Sequence, residues 1–446
     1  MKTVKKYQSY TLQNYDHIPQ SSSLSCEDRQ AIEVVGRVLP FKTNNYVTDE
    51  LIQWDHLEED PIFTLNFPRR KILLPHHYSE VEGLIARRDE RKLRASIEKI
   101  RMELNPNPSG QEYNVPVFNG VRLHGLQHKY RETVLLFPRP GQRCFANCTF
   151  CFRWPQFSNL PDMRFSIKED YELYVKYIKA HPKVTDVLFT GGDPMVMDAS
   201  LLRAHIEPIL SASMKQIRHI RIGTKALAYW PYRFITDEDA DDILRLFDDI
   251  IRSGKHLTIM AHFNHPVELT TDAVKKAIQR IRNTGAQIRT QSPVLRHIND
   301  CPKLWAEMWQ LQVGLGCIPY YMFVARDTGA KHYFEIPLAQ CQTIFREAYQ
   351  KVSGICRTVR GPSMSDHAGK IQILGVSEAA GEKLFVLRFI QGRNPDWVAK
   401  PFFAKYNPDA TWFDQLEPAF GEKEFFFEHE LGNYLRDALE RDTGAY

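Results

Sequence analysis

The stretch "HLTIMAHFNHPVELTTDAVKKAIQRIRNTGAQIRTQSPVL", residues 256–295, decides the fold. Its first seven residues, His256 to His262, are apolar and β-branched enough to read as a strand buried on both faces. A helix runs through "AVKKAIQRIRNTG" and stops at Gly285, a residue that accepts the positive φ of a helix terminus. A second apolar run begins at Ala286. Strand, helix and strand in this order form a βαβ unit, which carries parallel pairing and a right-handed crossover.

The same alternation extends in both directions. Buried-strand patterns recur in "TVLLF" from 133, "VTDVLFT" from 184, "HIRIGT" from 219 and "CIPYYMFV" from 317. Helical patterns lie between most of them. In "SIKEDYELYVKYIKAH", Ser166 with Glu169 three residues on has the form of a capping box, and "TDEDADDILRLFDDIIRSG" repeats the device from Thr236 and ends at Gly254. Six such strands predict an α/β fold, a partial (β/α)6 barrel, over residues 116–330. Before it, residues 1–115 read as a mostly helical region, with "NPNPSGQ" from Asn105 breaking the last helical pattern. After it the alternation loosens, and the Phe- and Trp-rich segment 331–446 is expected to cover the barrel.

The 446 residues carry a formal net charge of +4, with acidic and basic residues interspersed, which argues against a nucleic-acid partner. No run approaches 18 apolar residues and the basic start lacks an apolar stretch behind it, so neither a membrane span nor a secretory signal is expected. A cytoplasmic protein follows as the expectation. There thiols stay reduced, and a cysteine cluster points to metal binding or chemistry.

Three of the eight cysteines fall in "CFANCTFC", at Cys144, Cys148 and Cys151. A four-iron cluster held by protein alone takes four thiolates. Three leave one iron open to chelate a small molecule through amino and carboxylate groups and to pass it an electron. The alternatives are a zinc site of three cysteines and a histidine, although no second cysteine or histidine pair accompanies the trio, or three unrelated thiols. "TGGD", Thr190 to Asp193, ends a strand with glycines that let a ligand approach the backbone, unless it is an ordinary tight turn. "HFNHP" places His262 and His265 at another strand end. In a barrel all these groups share the C-terminal rim, where active sites form.

The cysteine loop resembles the CxxxCxφC signature of radical S-adenosylmethionine enzymes, φ being aromatic. More narrowly, "DPIFTLNFP" from 60, "GLQHKY" from 125, "VLFTGGDP", "HFNHP" from 262, "QSPVLRHINDC" from 291 and "PYY" from 319 are similar to the lysine 2,3-aminomutase family over roughly residues 55–375. The resemblance implies a partial (β/α)6 barrel, a four-iron, four-sulfur ([4Fe-4S]) cluster on Cys144, Cys148 and Cys151, and S-adenosylmethionine held by Gly191, Gly192, Asp193, His262 and Gln291. It implies that Arg153 grips the substrate carboxylate, a role that suits a planar guanidinium fork. An electron donor such as a flavodoxin or ferredoxin is implied as partner.

The family's aminomutases carry pyridoxal phosphate on a lysine, and Lys370 in "RGPSMSDHAGKIQILG" is the one that fits, although the family's glycine run is gone and a few residues are inserted between Pro362 and Lys370. Lys129 and Thr133 align with two arginines that lie near that cofactor. Two aspartates that bind the lysine ammonium align with Arg326 and Arg360, with Asp327 one residue from the first. Two guanidiniums would repel an ammonium, so the expected substrate is an amino acid with an anionic side chain, such as glutamate, and not lysine. Cys301 matches one zinc-binding cysteine of the family, but no cysteine follows Cys356, so no zinc site is expected and the oligomeric state, homo-oligomer included, stays open. Three functions follow: a pyridoxal-dependent radical aminomutase, a radical enzyme without pyridoxal, and a non-catalytic iron–sulfur scaffold or sensor.

Overall fold

The computed structural model describes residues 5–158, 160 and 164–443, the last seven of these by backbone only. The expected basic start, residues 1–4, and the end of the tail, residues 444–446, lie outside them.

Eleven strands form one open sheet whose spatial order follows chain order. We number them β1 (Leu126–Tyr130), β2 (Thr133–Leu136), β3 (Asp186–Phe189), β4 (His219–Thr224), β5 (His256–His262), β6 (Gln287–Val294), β7 (Ile318–Val324), β8 (Arg360–Ser365), β9 (Gly369–Ala379), β10 (Glu382–Gly392) and β11 (Pro401–Lys405). The six strands expected from the sequence are β2 to β7, and all five pairings among them are parallel. A helix follows each of the six, so the (β/α)6 count is met, and the first and last strands of the sheet do not pair, so the barrel is partial.

The helices pack by an apolar stripe. Ala240–Arg252 buries Ile243, Leu246, Phe247 and Ile250, and Asp272–Asn283 buries Val274, Ala277, Ile278 and Ile281, both at the i, i+3, i+4, i+7 spacing of one helix face. Each large apolar side chain so covered contributes about 1.5–3 kcal/mol relative to exposure. Opposite them, Val187, Phe189, Ile220, Ile222, Leu257 and Ile259 are fully buried on the outer face of the strands. Gly254 and Gly285 follow these helices with φ of +79° and +85°, as expected.

Both predicted helix starts shift. The helix expected from Ser166 begins at Tyr171, capped by Asp170, whose carboxylate accepts from the Glu172 amide at 3.0 Å. Glu169 is engaged elsewhere, by His124 Nδ1 at 3.0 Å and by the Tyr174 hydroxyl, while the Ile167 amide donates to Phe137 as part of an extended segment. The helix expected from Thr236 begins at Ala240, because the preceding acids serve other partners. Asp237 accepts from the Trp230 indole at 3.0 Å, and Asp239 binds Arg233 and caps the neighbouring helix at the Ala199 amide, 2.7 Å away.

The segment after residue 330 also departs from expectation. It is not only a cover, because β8 joins β7 in parallel and β9 to β11 continue the sheet as antiparallel hairpins. The β9–β10 turn consists of Ala380 and Gly381 at φ +51° and +77°, the primed geometry that fits two-residue hairpins. The N-terminal region holds helices Cys26–Val38, Pro75–Ala86 and Glu90–Glu103 and the short antiparallel pair Ser9–Thr11 with Lys42–Asn44. That pair lies behind the cysteine loop.

Candidate active site

The C-terminal ends of β2 to β8 and the N-terminal end of β9 surround a cavity of about 320 Å³. Its walls bring together Cys144, Cys148, Cys151, Arg153, Gly191, Gly192, Asp193, His262, Gln291, Arg326 and Lys370, which is every site residue expected from the sequence except Arg360.

The cysteine loop leaves β2 and is clamped by residues distant in the chain that no local motif singles out. Lys42 Nζ donates to the Cys144 carbonyl at 2.8 Å, Tyr7 Oη to that of Phe145 at 2.6 Å, and Thr149 Oγ1 to that of Thr64 at 2.7 Å. All eight cysteines are free. Burial pushes the three loop thiols up, Cys151 to about 12; the Asp193 charge and then the neighbouring thiols add to this at Cys144, and Cys148 adds to it at Cys151. Such thiols become thiolates only beside a strong positive charge, as a metal supplies. Three thiols carried by one loop on the cavity wall supply three of the four thiolates that a four-iron cluster takes, which fits a cluster with one iron left open. Elsewhere among the described residues, His76, His77 and Glu103 bring one ligand atom each within 4.8 Å of one another.

Gly191 and Gly192 are needed for a different reason than ligand access. A Cβ on Gly191, whose φ is +146°, would lie 2.1 Å from the Gln142 amide, and one on Gly192 would lie 2.4 Å from the Arg143 carbonyl. The glycines admit the chain that leads into the cysteine loop. Asp193 fastens this junction. Its amide donates to the carbonyls of Gly141 and Arg143, and its carboxylate accepts from Thr224 Oγ1 at 2.7 Å and from the amides of Lys225 and Met195. Burial raises this carboxyl to about 6.

His262 ends β5 beside Gln291 of β6 in register. Its Nε2 is buried without a partner among the described residues, and burial holds the ring neutral. His265 does not line the cavity. Its Nδ1 accepts from the Val267 amide at 3.3 Å and caps the next turn.

The lining is rich in basic residues. It holds Arg153, Arg221, Lys225, Arg326, Lys331 and Lys370 against the single carboxylate of Asp193, six basic side chains to one acid. Arg221 is held by Asp186 at 2.6 Å and Lys225 by Glu268 at 2.6 Å. Arg153 Nη1 is buried with no partner among the described residues, its guanidinium 4.8 Å from the Phe137 ring centroid. Arg326 donates to the Pro108 carbonyl at 3.1 Å, and its Nε, which makes no hydrogen bond among the described residues, lies 3.7 Å from Asp327 Oδ1 as an ion pair. Asp327 also accepts from Asn105 Nδ2 at 3.3 Å and does not line the cavity.

Lys370 lies 4.0 Å above the centroid of the Tyr321 ring and has no carboxylate partner among the described residues. Burial, then the charges of Arg221, Arg360 and Arg326, lower its pKa to about 7. Arg360 itself is a correction. Its guanidinium stacks 4.2 Å from the Tyr320 centroid, outside the cavity, and the β8 residues that line it are Ser363 and Ser365. Lys129 and Thr133 do not line it either. Lys129 donates to the Asp366 carbonyl, and Thr133 Oγ1 to Asp186 at 3.1 Å.

Three thiols on one loop at the rim of a partial (β/α)6 barrel define a class, and comparison with known proteins gives the same one. Residues 139–301 match the family model described as the Radical SAM superfamily. The chain is 32% identical over 388 residues, 87% of its own length and 90% of the relative's, to a protein of Aquifex aeolicus (strain VF5) named "Putative L-lysine 2,3-aminomutase". It is 27% identical to the L-lysine 2,3-aminomutase of Methanococcus maripaludis, over 70% of this chain and 60% of that one. The corresponding figures for the enzyme named L-lysine 2,3-aminomutase in Escherichia coli (strain K12) are 29%, 52% and 63%. The chain belongs to the lysine 2,3-aminomutase family of radical S-adenosylmethionine enzymes. Among the described residues, no helix is long and apolar enough to cross a membrane.

Proposed function

We propose that the protein moves an amino group between carbons 2 and 3 of an amino acid whose side chain is anionic, glutamate being the simplest candidate. The observation that supports this most is that the three cysteines, the neutral amine of Lys370 and two incompletely paired guanidiniums line one cavity. When bound, a reduced cluster on Cys144, Cys148 and Cys151 would split S-adenosylmethionine to methionine and a 5′-deoxyadenosyl radical, and pyridoxal phosphate would let nitrogen migrate. Gly191, Gly192, Asp193, His262 and Gln291 form the wall between the cysteines and the substrate space. Arg153 would take the substrate's α-carboxylate through its free Nη1, and Arg326 the side-chain anion. An external electron donor is required.

The distal cation carries the specificity. An ammonium beside Arg326 would meet repulsion in a site of low dielectric. Arg326→Gln is expected to weaken turnover of an anionic substrate by about 30-fold or more, the effect of losing one member of a buried charge pair at about 2 kcal/mol or above. Competition among glutamate, aspartate and lysine checks it, and turnover of lysine with glutamate unable to bind would reject the anionic-substrate reading.

Lys370 supplies the second test. An amine attacks the pyridoxal aldehyde only when unprotonated. With its pKa lowered to about 7, Lys370 is mostly neutral above that pH and mostly protonated below it. Covalent loading of pyridoxal phosphate, followed by absorbance, is expected to rise with pH through a midpoint near 7. A midpoint near that of an ordinary lysine would remove Lys370 from the role.

One observation favours a second reading. The positions that align with the family's cofactor-proximal arginines, Lys129 and Thr133, are engaged elsewhere, so the phosphate would rest on other groups, Arg221, Ser363 and Ser365 being those on the wall. An enzyme that abstracts hydrogen without pyridoxal would use Lys370 as a further cation for an anionic substrate.

A further inference from the structure

Tyr229 has no part in the chemistry described so far, yet it is the one side chain among the described residues whose polar atom is in hydrogen-bond reach of a loop cysteine sulfur. It ends the short helical turn Ala226–Tyr229 that follows β4 and is 1% exposed. Its hydroxyl oxygen lies 3.4 Å from Cys148 Sγ. Two further contacts fix that position. Asn44 Nδ2 donates both to the Tyr229 carbonyl at 2.9 Å and to the Phe145 carbonyl at 3.2 Å, so one amide ties the tyrosine backbone to the cysteine loop. Lys225 Nζ sits 4.3 Å over the ring and is anchored by Glu268, which is fully buried.

From this geometry we infer that Tyr229 is a positioning residue for the cluster, donating an O–H···S hydrogen bond to Cys148 that raises the cluster's reduction potential. The inference rests on the cluster reading above. A cysteine bound to iron is a thiolate without a proton, so the hydroxyl must be the donor. A donor placed on a ligand sulfur withdraws electron density and stabilises the reduced form, which carries one more negative charge; hydrogen bonds to sulfur are among the groups that set such potentials. Tyr229 thereby eases loading of the electron at the cost of making the reduced cluster a weaker reductant. A buried tyrosine that only fills space would leave the potential unchanged.

The test is a redox titration of reconstituted, anoxic protein, following the reduced-cluster EPR signal, with iron and sulfide measured in every sample. Tyr229→Phe removes the donor and keeps the ring. At the wild-type midpoint, its ratio of oxidised to reduced cluster is expected to rise by about tenfold, equivalent to a shift of about 59 mV to more negative potential for a one-electron couple. Placing 3,5-difluorotyrosine at position 229, a stronger donor of nearly the same shape, is expected to move the midpoint the other way. If Tyr229→Phe fails to assemble a cluster, the fluorinated protein decides alone. A midpoint unmoved in the variants that load iron and sulfide overturns the inference and leaves the cluster reading standing. Failure of the wild-type protein to load any cluster would instead remove that reading.

Discussion

Replacing any one of Cys144, Cys148 and Cys151 by serine is expected to abolish reductive cleavage of S-adenosylmethionine, with the loss exceeding the roughly 10–100-fold that follows removal of a group that merely supports a metal ligand. The three half-buried cysteines line the cavity and no other described cysteine does, so no other thiol can replace a missing one. Cys317 and Cys341 are buried away from the cavity, and Cys301 lies on the surface. The loop should hold its shape in each variant, because it is fixed by hydrogen bonds to Lys42, Tyr7 and Thr64 and not by the thiols. Circular dichroism and thermal unfolding should therefore match the parent while 5′-deoxyadenosine production in the presence of dithionite disappears. Retention of cleavage in any of the three would remove that cysteine from the ligand set.

Lys370→Ala is expected to separate the two halves of the reaction. The lysine stands on β9, across the cavity from the cysteines, and touches Tyr321 and Phe323. Its removal leaves the cysteine loop and the Gly191–Asp193 junction untouched, so cleavage of S-adenosylmethionine should persist at a slow, uncoupled rate. Amino migration should fall below detection, and the borohydride-reducible attachment of pyridoxal phosphate seen with the parent should vanish. If attachment persisted in the variant, another amine would be the site. If the parent showed none under saturating cofactor, the reading without pyridoxal would replace the leading one.

The parallel core of the fold was legible because each of its strands is covered on the outside by helices and faces a filled interior. That demands the dense apolar runs seen from Thr133 to Val324. Period-two alternation within those strands also marks the wall of the cavity. Ile220 and Ile222 point out to the helices, leaving Arg221 and Gly223 to face inward, and the pairs Met260 with His262 and Tyr321 with Phe323 follow the same rule. Arg221 could have been selected from that alternation, since a cation in the middle of a buried strand needs a partner or a task.

The parts that were not legible depend on partners distant in sequence. Ser166 and Thr236 fit the capping pattern locally, but Glu169 is taken by His124 and Tyr174, and Asp239 by Arg233, contacts no local pattern contains. Arg360 failed through register. Between Tyr321 and Phe323 on β7 the chain advances two residues, while between their partners Arg360 and Ser363 on β8 it advances three. The Arg360 guanidinium stacks on Tyr320 and Tyr321 without lining the cavity, and Ser363 and Ser365 take the wall. Gly361 permits the step, since a Cβ there would lie 2.4 Å from the Met322 carbonyl. The strands from Gly369 to Lys405 escaped notice because their hairpins carry polar outward positions, which dilute the apolar pattern that flags a buried strand.

The measurement that bears most directly on the central claim is metal and sulfide analysis of the protein purified without oxygen, joined to EPR of the reduced sample with and without S-adenosylmethionine. A cluster with one iron free of protein thiolate predicts about four iron and about four sulfide per chain and a signal that changes shape when S-adenosylmethionine is added. Zinc without sulfide, or a reduced signal indifferent to S-adenosylmethionine, would contradict it.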